Sequence, residues 1–275
     1  MGPYAVRYAG LERDLQDLGV GVNDFHNLAV PGPESTDVQD GRAKYVPQIE
    51  AACALLRKRV AASATAGHFP LVLGGDHSIA MGTVAGLLDA WGDCGVLWVD
   101  AHGDANTPET SPSGNVHGMP VAVILGQTQL FEGLGWTDRP LDAARLVLFG
   151  IRNLDPGERE LLRRLRVRVV TMSEIDQVGV KAAVLEALEL LRPAGRIHLS
   201  VDMDAMDPIE APGVGTPWPG GLTYREAHLC MELLAASGLV AAMEVVEVNP
   251  IADHENRTGR FAEGLVLSAL GRTIL

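Results

Sequence analysis

The segment VDAHGDANT, residues 99–107, sets Asp100, His102 and Asp104 at alternate positions directly after the apolar run GVLWV. In an extended chain, side chains at i, i+2 and i+4 share one face, about 6.5–7 Å apart. DMD repeats the device with Asp202 and Asp204 after RIHLSV, GGDHS places Asp76 and His77 after PLVL, and EVNP places Glu247 after AAMEVV. Carboxylates and imidazoles without thiolate suit divalent cations, manganese first, with iron, cobalt or zinc as alternatives. Two such cations about 3.5–4 Å apart generate hydroxide from water at neutral pH. Any one of these aspartates could simply cap a helix. Several packed together at buried strand ends are costly unless cations neutralise them.

The elements that must position these groups are legible in the apolar pattern. Short, β-rich runs fall near 70–75, 95–100, 145–151, 167–172, 196–202 and 241–248. Strands buried on both faces read this way, as continuous apolar runs. Helical patterns lie between them. Residues 46–64 have helical apolar spacing with a basic face. LDPGERELLRRL offers Asp155 as N-cap, Pro156 at the first helical position and Glu158 three residues after the cap. LTYREAHLCMELLAASG offers Thr223 and Glu226 as a capping box and Gly238 as a stop. This alternation predicts an α/β fold with a central, mainly parallel sheet between helical layers. In such sheets ligands bind beyond the carboxyl ends of the strands, where the acids and histidines fall.

No linker, repeat or low-complexity tract divides the 275 residues, so residues 1–275 are expected to form a single domain. Two polar loops stand out, 31–41 and 105–118, the latter rich in Thr, Ser, Pro and Gly. A net charge of −13 without a basic block argues against nucleic acid or an anionic membrane as partner. Cys53, Cys94 and Cys230 are scattered, which fits a reducing compartment. With no leader sequence or apolar run of membrane-spanning length, the expected location is the cytoplasm.

GGDHS, DAHGD and SVDMDAMDP resemble the three metal motifs of the arginase (ureohydrolase) family, in the same order. SGNVHGMPV, LDPGE, GTPWPGGLTYRE and MEVVEVNP extend the match over residues 74–250, with MGPYAVRYAGL at the start. The resemblance implies a three-layer α-β-α fold and two Mn2+ per subunit. It assigns His77, Asp100, Asp104 and Asp202 to one ion and Asp100, His102, Asp202 and Asp204 to the other, with Asp100 and Asp202 bridging. A metal-bound hydroxide would attack the guanidinium carbon, oriented by Asp104. His117 resembles the family histidine that shuttles protons, and Glu247 the carboxylate that pairs with the guanidinium. Asp76 stays outside the ligand set. His198, inside an apolar strand, reads as a core histidine.

The layout NTPETSPSGNVHG resembles arginases more than agmatinases. Asn106, Ser111 and Ser113 match positions that contact the substrate carboxylate, with Ser111 where threonine is common. Asn115 adds a further hydrogen-bonding group, and Asp155 matches the acid near the α-ammonium, a role compatible with capping. The implied reaction is hydrolysis of L-arginine to L-ornithine and urea. Alternatives within the family are agmatinase, guanidinobutyrase and formimidoylglutamase. The family also implies a homo-oligomer, trimer or hexamer. Members usually begin with a strand ahead of the MGP stretch, so that strand is expected to be missing before Met1. A shortened, catalytically impaired binding or oligomer-forming homologue is the reading from a different class.

Overall fold

The computed structural model describes residues 1–32, 36–136 and 138–273, so residues 33–35 of the first polar loop lie outside the described residues. A small antiparallel hairpin, β1 (Gln39–Asp40) and β2 (Ala43–Lys44), overlaps the segment expected to be loop. The main sheet contains β3 (Leu71–Leu73), β4 (Gly95–Val99), β5 (Leu146–Ile151), β6 (Arg168–Thr171), β7 (Ile197–Asp202) and β8 (Val240–Val246), in the order β3-β8-β7-β4-β5-β6. Every pairing in it is parallel. All six runs expected to be strands are found. β4, β5 and β7 are buried along their whole length, which is why they read as unbroken apolar runs.

The helices in chain order are α1 (Gly2–Tyr8), α2 (Leu11–Asp17), α3 (Val46–Thr65), α4 (Ala80–Trp91) and α5 (Pro120–Ile124). They continue with α6 (Pro156–Leu165), α7 (Met172–Val178), α8 (Val180–Leu191), α9 (Tyr224–Ser237) and α10 (Arg257–Ala269). The sheet separates two cores. On one face Val96, Trp98, Leu146 and Leu148 pack with side chains of α3, α4, α5 and α6. On the other, Leu97, Val99, Phe149 and Val201 pack with α1, α2 and α7 through α10. This is the expected three-layer arrangement. α3 and α4 approach closely because α4 presents glycines at the contact. A Cβ on Gly82 would lie 2.6 Å from the Cys53 carbonyl oxygen, and one on Gly86 2.5 Å from that of Arg57. Thr223 and Glu226 form the capping box of α9, and Gly238 ends that helix in the left-handed region. No helix among the described residues is long and apolar enough to cross a membrane.

Candidate active site

Val99 of β4 lies beside Val201 of β7, and the next residue on each chain is an aspartate. Asp100 and Asp202 therefore leave adjacent strands at one level. From β4 the chain moves outward to β5 and β6, then returns to β7 on the other side of β4. Such a reversal opens a crevice at the carboxyl ends of the strands. His77 follows β3 and Glu247 follows β8, so four strand ends converge there.

Asp100, His102 and Asp104 do converge, though not along an extended strand as the alternation suggests. β4 stops at Val99, the chain bends, and Asp104 sits at φ +48° with its carbonyl accepting the Val121 N–H at 2.8 Å. The His102 N–H donates to Asp100 Oδ1 at 2.7 Å. Likewise Asp202 ends β7, and Asp204 follows in a 3-10 turn, Met203–Ala205, its N–H donating to Asp202 Oδ1 at 2.8 Å. An extended chain would keep alternate residues about 6.5–7 Å apart. The turns instead bring ligand atoms of His77, Asp100 and Asp104 within 4.8 Å of one another, and those of Asp100, His102 and Asp204 likewise.

Donor chemistry shows that these residues fit cations. His77 Nδ1 lies 3.1 Å from Asp100 Oδ2 and 3.2 Å from Oδ2 of both Asp104 and Asp202. One imidazole nitrogen carries at most one proton and cannot satisfy three carboxylate oxygens. His102 Nδ1 lies 3.1 Å from Asp204 Oδ2 and 3.5 Å from Asp100 Oδ1. Four buried acids therefore face two imidazoles, and a divalent cation in each group resolves the excess charge.

Protonation equilibria carry the same signature. Burial and the neighbouring acids push Asp202 well above the usual carboxylate range and Asp104 up to about 7. Asp204 rises for the same reasons. Burial opposes ionisation of Asp100 too, but the adjoining His102 and His77 hold its carboxyl well below the ordinary value. His102, despite desolvation, is pushed up to about 11 by Asp100 and Asp204.

An outer ring of partners fixes this cluster. Trp98 Nε1–H donates to Asp100 Oδ2 at 2.9 Å, and its ring stacks on His77 with centroids 3.9 Å apart. His77 Nε2 is 2.7 Å from Ser200 Oγ, and Ser200 donates to Glu244 Oε1 at 2.7 Å. His198 Nε2 stands 3.2 Å from the same carboxylate oxygen, so this core histidine joins a buried polar chain that reaches the cluster. Thr216 Oγ1 donates to Asp204 Oδ2 at 2.9 Å. The Arg152 guanidinium donates to the carbonyls of Asp204 at 2.7 Å and Trp218 at 2.6 Å, tying the turn after β7 to the loop beyond it. Sequence reasoning missed Trp98, Ser200, Glu244, Thr216 and Arg152. For Ser200 the signal was present, a polar side chain inside an otherwise apolar strand.

The other predicted residues surround the cluster. Glu247, at φ +63°, accepts the His77 N–H at 3.0 Å, and its Oε1 is 3.2 Å from His117 Nδ1. That bond pushes the His117 imidazole up to about 9. Asn106 Nδ2–H donates to Asp155 Oδ2 at 2.9 Å, while Thr110 Oγ1 donates to Asn106 Oδ1 at 2.9 Å. Glu158 accepts the N–H groups of Asp155 at 2.8 Å and Ala105 at 2.9 Å, so the start of α6 is stitched to the loop after β4. Ser111 Oγ accepts the Gly114 N–H at 2.9 Å, and Ser113 Oγ the Asn115 N–H at 3.1 Å. Both hydroxyls thereby keep a proton to donate. Asp76 caps the turn before α4, accepting from the Ser78 N–H and hydroxyl.

Comparison with known proteins agrees with this architecture. The family model described as the Arginase family matches residues 1–271. The chain is 44% identical over 277 residues to an arginase of Bacillus subtilis (strain 168), covering 100% of this chain and 93% of the relative. A 1.7 Å crystal structure of Bacillus subtilis arginase superposes with a TM-score of 0.94 at 44% identity, covering 100% of this chain and 93% of that one. An Entamoeba histolytica arginase crystallised with L-ornithine gives a TM-score of 0.91 at 29% identity, over 98% and 92% of the two chains.

Proposed function

The chain belongs to the arginase family, and from that premise we propose that it hydrolyses L-arginine to L-ornithine and urea with two Mn2+ per subunit. The observation that carries this reading is the pair of overlapping ligand groups that share Asp100. In it, His77, Asp100, Asp104 and Asp202 hold one cation, and Asp100, His102, Asp202 and Asp204 hold the other. When bound, the cations lower the pKa of water and so supply a nucleophile at neutral pH.

The chain's own side chains do the rest. Glu247 receives the substrate guanidinium through charge-assisted hydrogen bonds, its carboxylate oriented by the His77 N–H. Asp104 orients the attacking oxygen. Water adds to the guanidinium carbon, the bond from that carbon to the substrate's side-chain nitrogen breaks, and the departing nitrogen takes a proton. His117, holding its Nδ1 toward Glu247, is placed to deliver that proton from its imidazolium. Asn106, Ser111, Ser113 and Asn115 receive the α-carboxylate, and Asp155 the α-ammonium. A donor-rich loop of this kind has a task with arginine and none with agmatine, which lacks the carboxylate.

In this reading residues 1–275 act as one catalytic domain in a cytoplasmic homo-oligomer, trimer or hexamer, and family membership is its support. Urea release from L-arginine, agmatine and 4-guanidinobutyrate, and formamide release from formimidoylglutamate, each with manganese, are the tests. Turnover of arginine is expected; turnover of agmatine with none of arginine would overturn the substrate assignment.

A further inference from the structure

Beside the metal cluster a cavity of about 160 Å3 is lined by Lys44, Tyr45, Asp76, Asn115 and His117 among others. It lies between the β1–β2 hairpin and the 105–118 loop, so its lining joins a part of the chain with no assigned task to the substrate loop. The hairpin is docked closely. The Lys44 N–H donates to the Gly114 carbonyl at 3.0 Å, and Lys44 Nζ donates to Asn115 Oδ1 at 2.9 Å.

That last bond has a chemical consequence. An amide whose oxygen is engaged by an ammonium presents its NH2 as the remaining hydrogen-bonding end. Asn115 Nδ2 has no partner among the described residues, so the Lys44–Asn115 pair offers only donors. The 20-residue helix α3 begins at Val46, two residues after Lys44, with no acidic residue in its first turn. Its positive dipole end thus faces the same region. Asp76, the acid in the lining, has one carboxylate oxygen, Oδ1, engaged by the Ser78 N–H and hydroxyl. In a protein of net charge −13, a fixed cation, an amide donor and a helix N-terminus side by side suit a carboxylate.

We infer that Lys44, directly and through the amide of Asn115, is a specificity-determining residue that selects guanidino substrates bearing an α-carboxylate. This rests on the arginine reading given above and extends it to a residue outside the family motifs. Lys44 sets the far end of the substrate and takes no part in the chemistry at the guanidinium carbon. Its loss should act on KM far more than on kcat.

The test compares Lys44→Met and Lys44→Arg with the unaltered manganese-loaded protein, using L-arginine as substrate and two competitive inhibitors. L-ornithine carries the carboxylate; putrescine, the same diamine skeleton, lacks it. Loss of a charge-assisted contact predicts a rise of about tenfold or more in the arginine KM and the ornithine Ki of Lys44→Met. The putrescine Ki should stay within about twofold, and Lys44→Arg should recover most of the loss. If KM and both inhibition constants are unmoved, or all rise together, Lys44 is only a tether of the hairpin and the inference is overturned. Absence of arginine turnover in the unaltered protein would instead overturn the proposed function, so the two failures are distinct.

Discussion

Ser200 Oγ lies 2.7 Å from Nε2 of His77, and this contact decides which nitrogen of the imidazole is the ligand atom. Ser200 has one hydroxyl proton and donates it to Glu244 at 2.7 Å. Burial resists ionisation of Glu244, but the neighbouring His198 holds its carboxyl below the ordinary range, so it accepts. Ser200 must therefore accept from the His77 Nε2–H. Nδ1 is left with its lone pair turned toward Asp100, Asp104 and Asp202.

Removing the hydroxyl should accordingly weaken metal binding without touching a ligand. For Ser200→Ala we expect metal affinity to fall about 10–100-fold, with activity regained at excess manganese. Chelator titration with metal analysis reads this directly. Unchanged affinity would mean that the tautomer is fixed by the carboxylates alone.

Asp100 belongs to both ligand groups, so its loss should be felt at both cations. Asp100→Ala is expected to abolish metal loading and turnover together. Metal that binds only the folded state at about one hundred times its Kd stabilises by about 2.7 kcal/mol. The unaltered protein should therefore melt several degrees lower after chelation, whereas Asp100→Ala should melt at one temperature with or without manganese. Retained turnover in this variant would contradict the shared role.

The two faces of the sheet were legible because buried parallel strands carry apolar residues at every position. The caps at Asp155 and Thr223 were legible because they are local. The way Asp100, His102 and Asp104 come together was not. Period-two spacing predicts a strand, whereas the bend is imposed by contacts distant in sequence, including the Val121 N–H on the Asp104 carbonyl. Glu244 sits inside β8, and only the pairing of that strand with β7 places it against Ser200 and His198. The hairpin carrying Lys44 was hidden for another reason: two-residue strands with polar neighbours give no periodicity to read.

Gly114 is where that hairpin meets the 105–118 loop. Its φ is +69°, and a Cβ there would lie 1.9 Å from the Gly41 carbonyl oxygen. Gly114→Ala should therefore strain the loop and lift the hairpin away. A cost of about 1–3 kcal/mol is expected. Urea denaturation should show the lost stability, and the arginine KM should rise with it because Asn115 and Ser113 move. A variant as stable as the unaltered protein would show that the hairpin yields without cost.

A pH effect is expected far from the metals, where α10 meets α2. Glu263 is 8% exposed and faces Asp14. Burial first, and Asp14 second, push its carboxyl from an ordinary 4.5 up to about 7, although Arg272 and Arg13 work against the shift. The folded state therefore holds a proton that the unfolded chain releases at lower pH. The sign follows: this stabilisation is complete below about 4.5 and is lost as the pH climbs through about 7, by at most about 3 kcal/mol. Glu263→Gln cannot ionise, so its stability should fall less between pH 5 and 8 than that of the unaltered protein. Denaturant titrations of metal-free protein at pH 5, 6.5 and 8 separate this from the acids of the cluster, which both proteins share. Parallel pH profiles for the two would show that Glu263 titrates as an ordinary surface carboxylate.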